Sequence, residues 1–172
     1  MYKSIFNVFI LIFFFFTFNV SANTAYINID LLIDKSKAGK YIKSEINKIK
    51  NKQINEFKKK EGELKKQEID LIAKKNILDV ESYKNEVIKF QQKVLKYNKY
   101  KDSEVRKLNK KNIDSMTKLT VIIKPILTEY ASKQNIDLLL DKKNIIIGQS
   151  KLDITNDIII LLDKKINKIE IK

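Results

Sequence analysis

Between Tyr41 and Leu78 the apolar residues are sparse but regularly spaced. Ile42, Ile46 and Ile49 lie four and three apart, and Phe57, Leu64, Leu71 and Leu78 then recur at every seventh position. A seven-residue recurrence keeps such side chains on one seam of a slightly supercoiled helix. A second seam follows in Tyr83, Val87, Phe90, Val94 and Tyr97, thins at Lys101 and Glu104, and resumes at Leu108. Only Gly39, Gly62 and Pro125 interrupt residues 36–134, and a stretch so poor in breakers predicts few boundaries. Two long helices doubled back on each other are expected, with the tip near residues 76–82. At 1.5 Å per residue, a first arm of about 38 residues reaches roughly 55–60 Å. The companion seats Glu61, Glu68 and Lys75, with Lys101 and Glu104 on the second helix, predict a loose seam.

The flanks follow a different pattern. Residues 25–30 alternate apolar and polar, the period of a half-buried strand. Leu31-Leu32-Ile33 leads into the first helix, which Asp34 or Ser36 caps. The second helix grows more apolar from Met116 to Tyr130, where it is expected to pack on the body, and Pro125 predicts a kink or a restart. Asn135 ends it. Residues 136–141 and 144–148 read as two strands joined by a tight hairpin at Lys142-Lys143. A last helix opens at Asp153 or Thr155, with a one-sided stripe of Ile154, Ile158, Leu161, Leu162, Ile166 and Ile169.

The first 22 residues carry one charge, Lys3, then an apolar run from Ile5 to Phe18 and small residues at Val20-Ser21-Ala22. The run is shorter than the roughly 20 residues of a spanning helix. It reads as a secretory signal peptide cleaved after Ala22, giving a periplasmic location, with an uncleaved anchor as the competing reading. The organisation expected is therefore a signal peptide over 1–22, a β-rich body from 23–35 and 121–172, and a helical arm over 36–120. The fold class is α+β, a small β-strand body carrying a long antiparallel coiled-coil hairpin.

Charge separates the same regions. Residues 35–120 hold 25 Lys and Arg against 12 Asp and Glu, whereas the rest of the chain beyond Ala22 holds 9 of each. Such an arm attracts acidic partners or an anionic lipid surface, and salt weakens the attraction. The chain has no Cys, His or Trp, which removes thiol and imidazole chemistry and nearly all zinc or haem ligation. Asp137, Asp141, Asp153 and Asp157 lack the bracing glycine and terminal glutamate of a calcium loop, and read as strand-end acids and a helix cap. With one arginine, Arg106, bidentate base reading has little to work with, so no specific nucleic acid is expected. No enzyme activity, metal or cofactor is expected.

The order of these elements resembles the Skp/OmpH family of periplasmic chaperones: a signal peptide, the strand at 25–30, a long Lys-rich hairpin, Ile136-Asp137-Leu138-Leu139-Leu140-Asp141, a second strand, and Asp153-Ile154-Thr155 opening the final helix. The resemblance covers the whole mature chain. It implies a homotrimer whose strands join in a central β body, with three hairpins around a cavity that holds unfolded outer-membrane proteins without nucleotide. Joining copies would bury Ile27, Ile29, Leu138, Leu140, Ile145 and Ile147, since lone strands with bare edges are marginal. Clients are expected on Phe57, Leu64, Leu71, Tyr83, Phe90 and Tyr97, aided by Lys58, Lys65 and Lys93. A structural coiled-coil spacer of the cell envelope is the alternative, and it would want both core seats of the seam filled.

Overall fold

The computed structural model of the protein describes residues 22–171. The apolar leader and the fate of its cleavage site lie outside the described residues. Strand β1 (Thr24–Ile27) is followed by a short helix α1 (Ile29–Lys35) and the two arm helices, α2 (Lys37–Ala73) and α3 (Val80–Lys133). Strand β2 (Leu138–Asp141) and helix α4 (Thr155–Lys165) complete the body.

Polar caps set these boundaries. The Asn28 side chain accepts from the Leu31 N–H at 2.9 Å, and Asp30 sits in the first turn, so the chain turns helical where the alternation pattern had extended the strand to Asp30. Ile29 is consequently a helical residue. Ser36 then ends α1 and caps α2, accepting from the Gly39 N–H at 3.2 Å. The turn is tight: a Cβ on Gly39 would lie 1.8 Å from the Ile33 carbonyl oxygen, so only glycine fits that close approach. Lys37 N–H, exposed at the positive end of α2, donates to the Asp163 carboxylate of α4 at 2.8 Å.

Helix α3 continues through Pro125, so the helix does not restart there. It stops at Asn135, whose φ of 52° is left-handed. Ile136 N–H returns to the Ala131 carbonyl at 2.9 Å and Asn135 N–H to Ser132 at 3.3 Å, a Schellman closure.

The sheet differs from the expected hairpin. β1 and β2 pair in parallel, with Thr24 opposite Leu138 and Ile27 opposite Asp141. Parallel pairing requires a long crossover, and the two arm helices supply it. On the other side of β1, Tyr26 bridges Asp153, and Ile154 N–H donates to the Tyr26 carbonyl at 3.0 Å. Both sides of β1 are thereby occupied, and the 144–148 segment does not take up the remaining edge of β2. Residues 142–144 form a 3₁₀ turn and no strand follows there. The β-branched run Ile145-Ile146-Ile147 has strand propensity but makes no strand pairing within the chain, and propensity alone does not make a strand.

The body is mainly helical. Leu32, Ala38, Ile42, Leu119, Ile123, Ile126, Ile158 and Leu162 bury together with Ala25 and Ile27 of β1. Burial of Ile27 inside its own subunit removes it from the surfaces expected to join copies. Thr155 fastens the N-terminal segment to α4: its hydroxyl oxygen accepts from Asn28 N–H at 2.9 Å, and the hydroxyl donates to Asp153.

Candidate functional site

The arm presents the surface with the least internal purpose. Between Lys43 and Asp114 its two helices meet along a seam in which only Phe57 is buried. The Phe57 ring stands edge-on to Tyr100, 6.2 Å between centroids at 85°, the favourable quadrupole arrangement. Leu64, Leu71, Tyr83, Phe90 and Tyr97 lie half-buried along the same seam, while Lys58, Lys65 and Lys93 are exposed. The aromatic and leucine positions expected to meet a client are thus occupied chiefly in holding the two helices together.

Several charged seats expected to loosen the seam instead stitch it. Glu61 accepts from the Tyr97 hydroxyl at 2.6 Å and from Lys101 at 2.7 Å, across the helix pair. The Lys101 hydrogen bond, followed by that of Tyr97, holds the Glu61 carboxyl below its usual range. Desolvation and then the Glu61 carboxylate push the Tyr97 hydroxyl up. The Lys101 ammonium also sits 5.6 Å from the Phe57 ring centroid. Further along, Gln53 donates to the Glu104 carbonyl at 3.2 Å, and Lys93 to Gln67 at 2.9 Å. Glu68 and Lys75 remain exposed. At the tip Asp79 caps α3, accepting from Ser82 N–H at 2.9 Å and Glu81 N–H at 3.1 Å. The bonds from Ser82, then that from Glu81, lower its carboxyl.

Exposed aliphatics form a second, separate pattern that the seam spacing hid. Ile88, Leu95, Val105 and Ile113 of α3 are all exposed. Ile88, Leu95 and Ile113 are separated by seven and eighteen residues, close to two and five whole turns, and share one face, whereas Val105 lies roughly 80° to one side of it. Between them run the exposed lysines of the arm, among them Lys99 and Lys110. The sequence signal for this stripe was the set of apolar positions left over once the seam had been assigned. Beside the seam an open cleft of about 330 Å³ is lined by Lys60, Leu64, Lys93, Lys96, Tyr97 and Tyr100, which combines apolar wall and cationic rim.

On the body, Leu138 and Leu140 of the outer strand are exposed, and Ile146 and Ile147 are 99% and 91% exposed. An open groove of about 420 Å³ between α3 and α4 has Ile126, Tyr130, Ile160 and Leu161 in its wall. There Tyr130 donates to Asp157 at 2.5 Å, and that bond, with burial, raises the tyrosine to about 12. Among the described residues no group of three or more His, Cys, Asp or Glu is placed to hold a metal ion.

Comparison with known proteins places this architecture. The sequence model of the family described as outer membrane protein (OmpH-like) matches residues 23–162. Seven solved chains match the structure. One, a candidate outer membrane chaperone (OmpH-like) from Caulobacter crescentus CB15, aligns with a TM-score of 0.79 at 14% identity, covering 89% of this chain and 90% of that one. No curated protein sequence matches. The similarity to the Caulobacter protein shows a shared fold: a long helical hairpin on a small body with a two-stranded parallel sheet. The family match spans most of the chain, and the protein belongs to the OmpH-like outer membrane protein family.

Proposed function

We propose that the mature chain, cleaved after Ala22, is a periplasmic holdase chaperone. Three copies join through their bodies, and their arms surround unfolded outer-membrane β-barrel proteins and keep them from aggregating without nucleotide. The observation that carries this reading is the exposed aliphatic face Ile88, Leu95 and Ile113, with exposed Val105 to one side, on an arm rich in lysine. A fixed spacer has no use for exposed aliphatics, whereas an unfolded chain rich in apolar side chains does. Family membership and the chaperone-like fold support the same reading. Each apolar contact is small and separately reversible, which suits a holder that must release, and the positive field draws acidic clients at a distance.

Assembly through the body is supported by the bare outer edge of β2 and by the exposed Leu138, Leu140, Ile146 and Ile147. Sheet edges and apolar loops of this kind associate with a second chain. The Ile145–Gly148 segment, unpaired within one copy, is then free to pair with another. Contact of the arm with an anionic lipid surface would follow from the same charge. No catalytic step, metal or cofactor is assigned.

The test is dilution of a urea-unfolded outer-membrane barrel into buffer with and without the mature protein, followed by light scattering. A holdase suppresses scattering at about one assembly per client, and replacing Leu95, Val105 and Ile113 by Ser weakens suppression without changing assembly. Unchanged scattering with wild-type protein returns the chain to the spacer reading. Mass measurement in solution checks the three copies, and N-terminal sequencing of exported protein checks the cleavage site.

A further inference from the structure

The arm is not uniformly cationic. Residues 37–66 carry 11 basic against 4 acidic side chains, and residues 89–118 carry 10 against 3. Between them, residues 67–88 reverse the balance, with 3 lysines against 5 acids. The same short tip exposes Ile69, Ile72, Ile77 and Val80 to 57, 62, 78 and 87%. Tip and shaft therefore differ in charge, slightly acidic against strongly basic, and the four exposed aliphatics of the tip lie closer together in sequence than those of the shaft.

We infer that the tips of neighbouring arms contact one another in the assembled protein and close the mouth of the cavity. This rests on the assembly proposed above. Three surfaces compete for an apolar tip. An anionic bilayer and an acidic client are both attracted to the shafts, and the tip is the one part of the arm whose net charge does not favour them. Another copy of the tip is different, because lysines and acids interleave around the same apolar side chains, so like meets like with both signs available. Shafts of two copies, each strongly positive, repel through the intervening solvent over about 8–10 Å. Repulsion along the shafts and apolar contact at the ends together give a cage wide at the waist and narrow at the mouth. The contact is small, so it opens and recloses as clients pass.

The chain has no cysteine, so Asn76→Cys and, separately, Lys59→Cys each give one spin label per copy in the full mature protein. Inter-label distances are measured by pulsed electron resonance on the assembly, with the mass of the same sample recorded. The expected result is a shorter distance between Asn76 positions than between Lys59 positions. Placing Ile72→Asp, Ile77→Asp and Val80→Asp in the Asn76→Cys chain should lengthen the tip distance and speed client dissociation several-fold. All three residues are exposed, so folding is spared, and circular dichroism verifies it. An intact assembly whose tips lie no closer than its shafts overturns the proposal while leaving the holdase reading standing. A single-copy mass overturns both. Flotation with phosphatidylglycerol vesicles that is abolished by the same three substitutions overturns it in favour of a membrane-docking tip.

Discussion

The body and the arm of this molecule differ in charge and are held together differently. In the body Leu32, Ile42, Leu119, Ile158 and Leu162 are fully enclosed, drawn from helices that are distant in sequence. Along the arm, between Lys43 and Asp114, Phe57 alone is buried, and cross-helix hydrogen bonds from exposed side chains supplement it. Buried apolar area is the dominant stabilising term, whereas exposed ion pairs contribute little. Stability in such a protein is therefore uneven: the body unfolds as a unit, and the arm opens locally at much lower cost.

The contrast breaks most readily at its strong end. Replacing Leu119 or Leu162 by Ala should cost about 2–5 kcal/mol of global stability, read as a lower urea midpoint for the entire protein. Gly39→Ala forces a methyl group against the Ile33 carbonyl and should cost about 1–3 kcal/mol, again lowering the body's midpoint. Should the Gly39→Ala midpoint stay unchanged, the α1–α2 corner is softer than its geometry indicates. Phe57→Ala acts on the weak end. It should raise amide hydrogen exchange along residues 50–66 and 90–107 and leave the body's slowest amides unaffected. A double-mutant cycle with Tyr100→Ala should return a coupling of about 0.5–1.5 kcal/mol. If Phe57→Ala instead melts the body, the two regions are not independent.

The smallest effect concerns acid. Glu61 has its carboxyl lowered by Lys101 and Tyr97, so its contribution is present above the ordinary glutamate range and is lost as pH falls through its lowered value. Arm amides near Glu61 should accordingly exchange faster at acid pH relative to body amides, and Glu61→Gln should remove that difference. Salt should reproduce part of the effect at neutral pH, because the pair is solvent-exposed.

How much of this was legible follows from the same physics. The hairpin was readable because the seven-residue recurrence of Phe57, Leu64, Leu71 and Leu78 is a local property of the chain. The Ser36 cap and the opening of the last helix around Asp153 and Thr155 were readable for the same reason. Strand partners are not local. Nothing near Leu138 indicates that it pairs in parallel with Thr24, more than a hundred residues earlier, and the isoleucine run after Asn144 looks more strand-like than either strand that forms. The short α1 helix was missed because alternation through Ile29 outweighed the Asn28 cap signal. Glu61, Tyr97 and Lys101 looked like defects while their helices were considered singly; their pairing depends on the register between α2 and α3. The Ile88–Ile113 face was overlooked because apolar spacing was assigned to the seam first.

Helix α3 has one mechanical consequence. Its 54 residues form one continuous helix from the tip into the core, and Pro125 falls between Ile123 and Ile126, both packed in the core. The rod is a lever with its fulcrum near Leu119, and its short end terminates at Asn135, directly before β2. Prising at Val80 is therefore felt as torque on the outer strand.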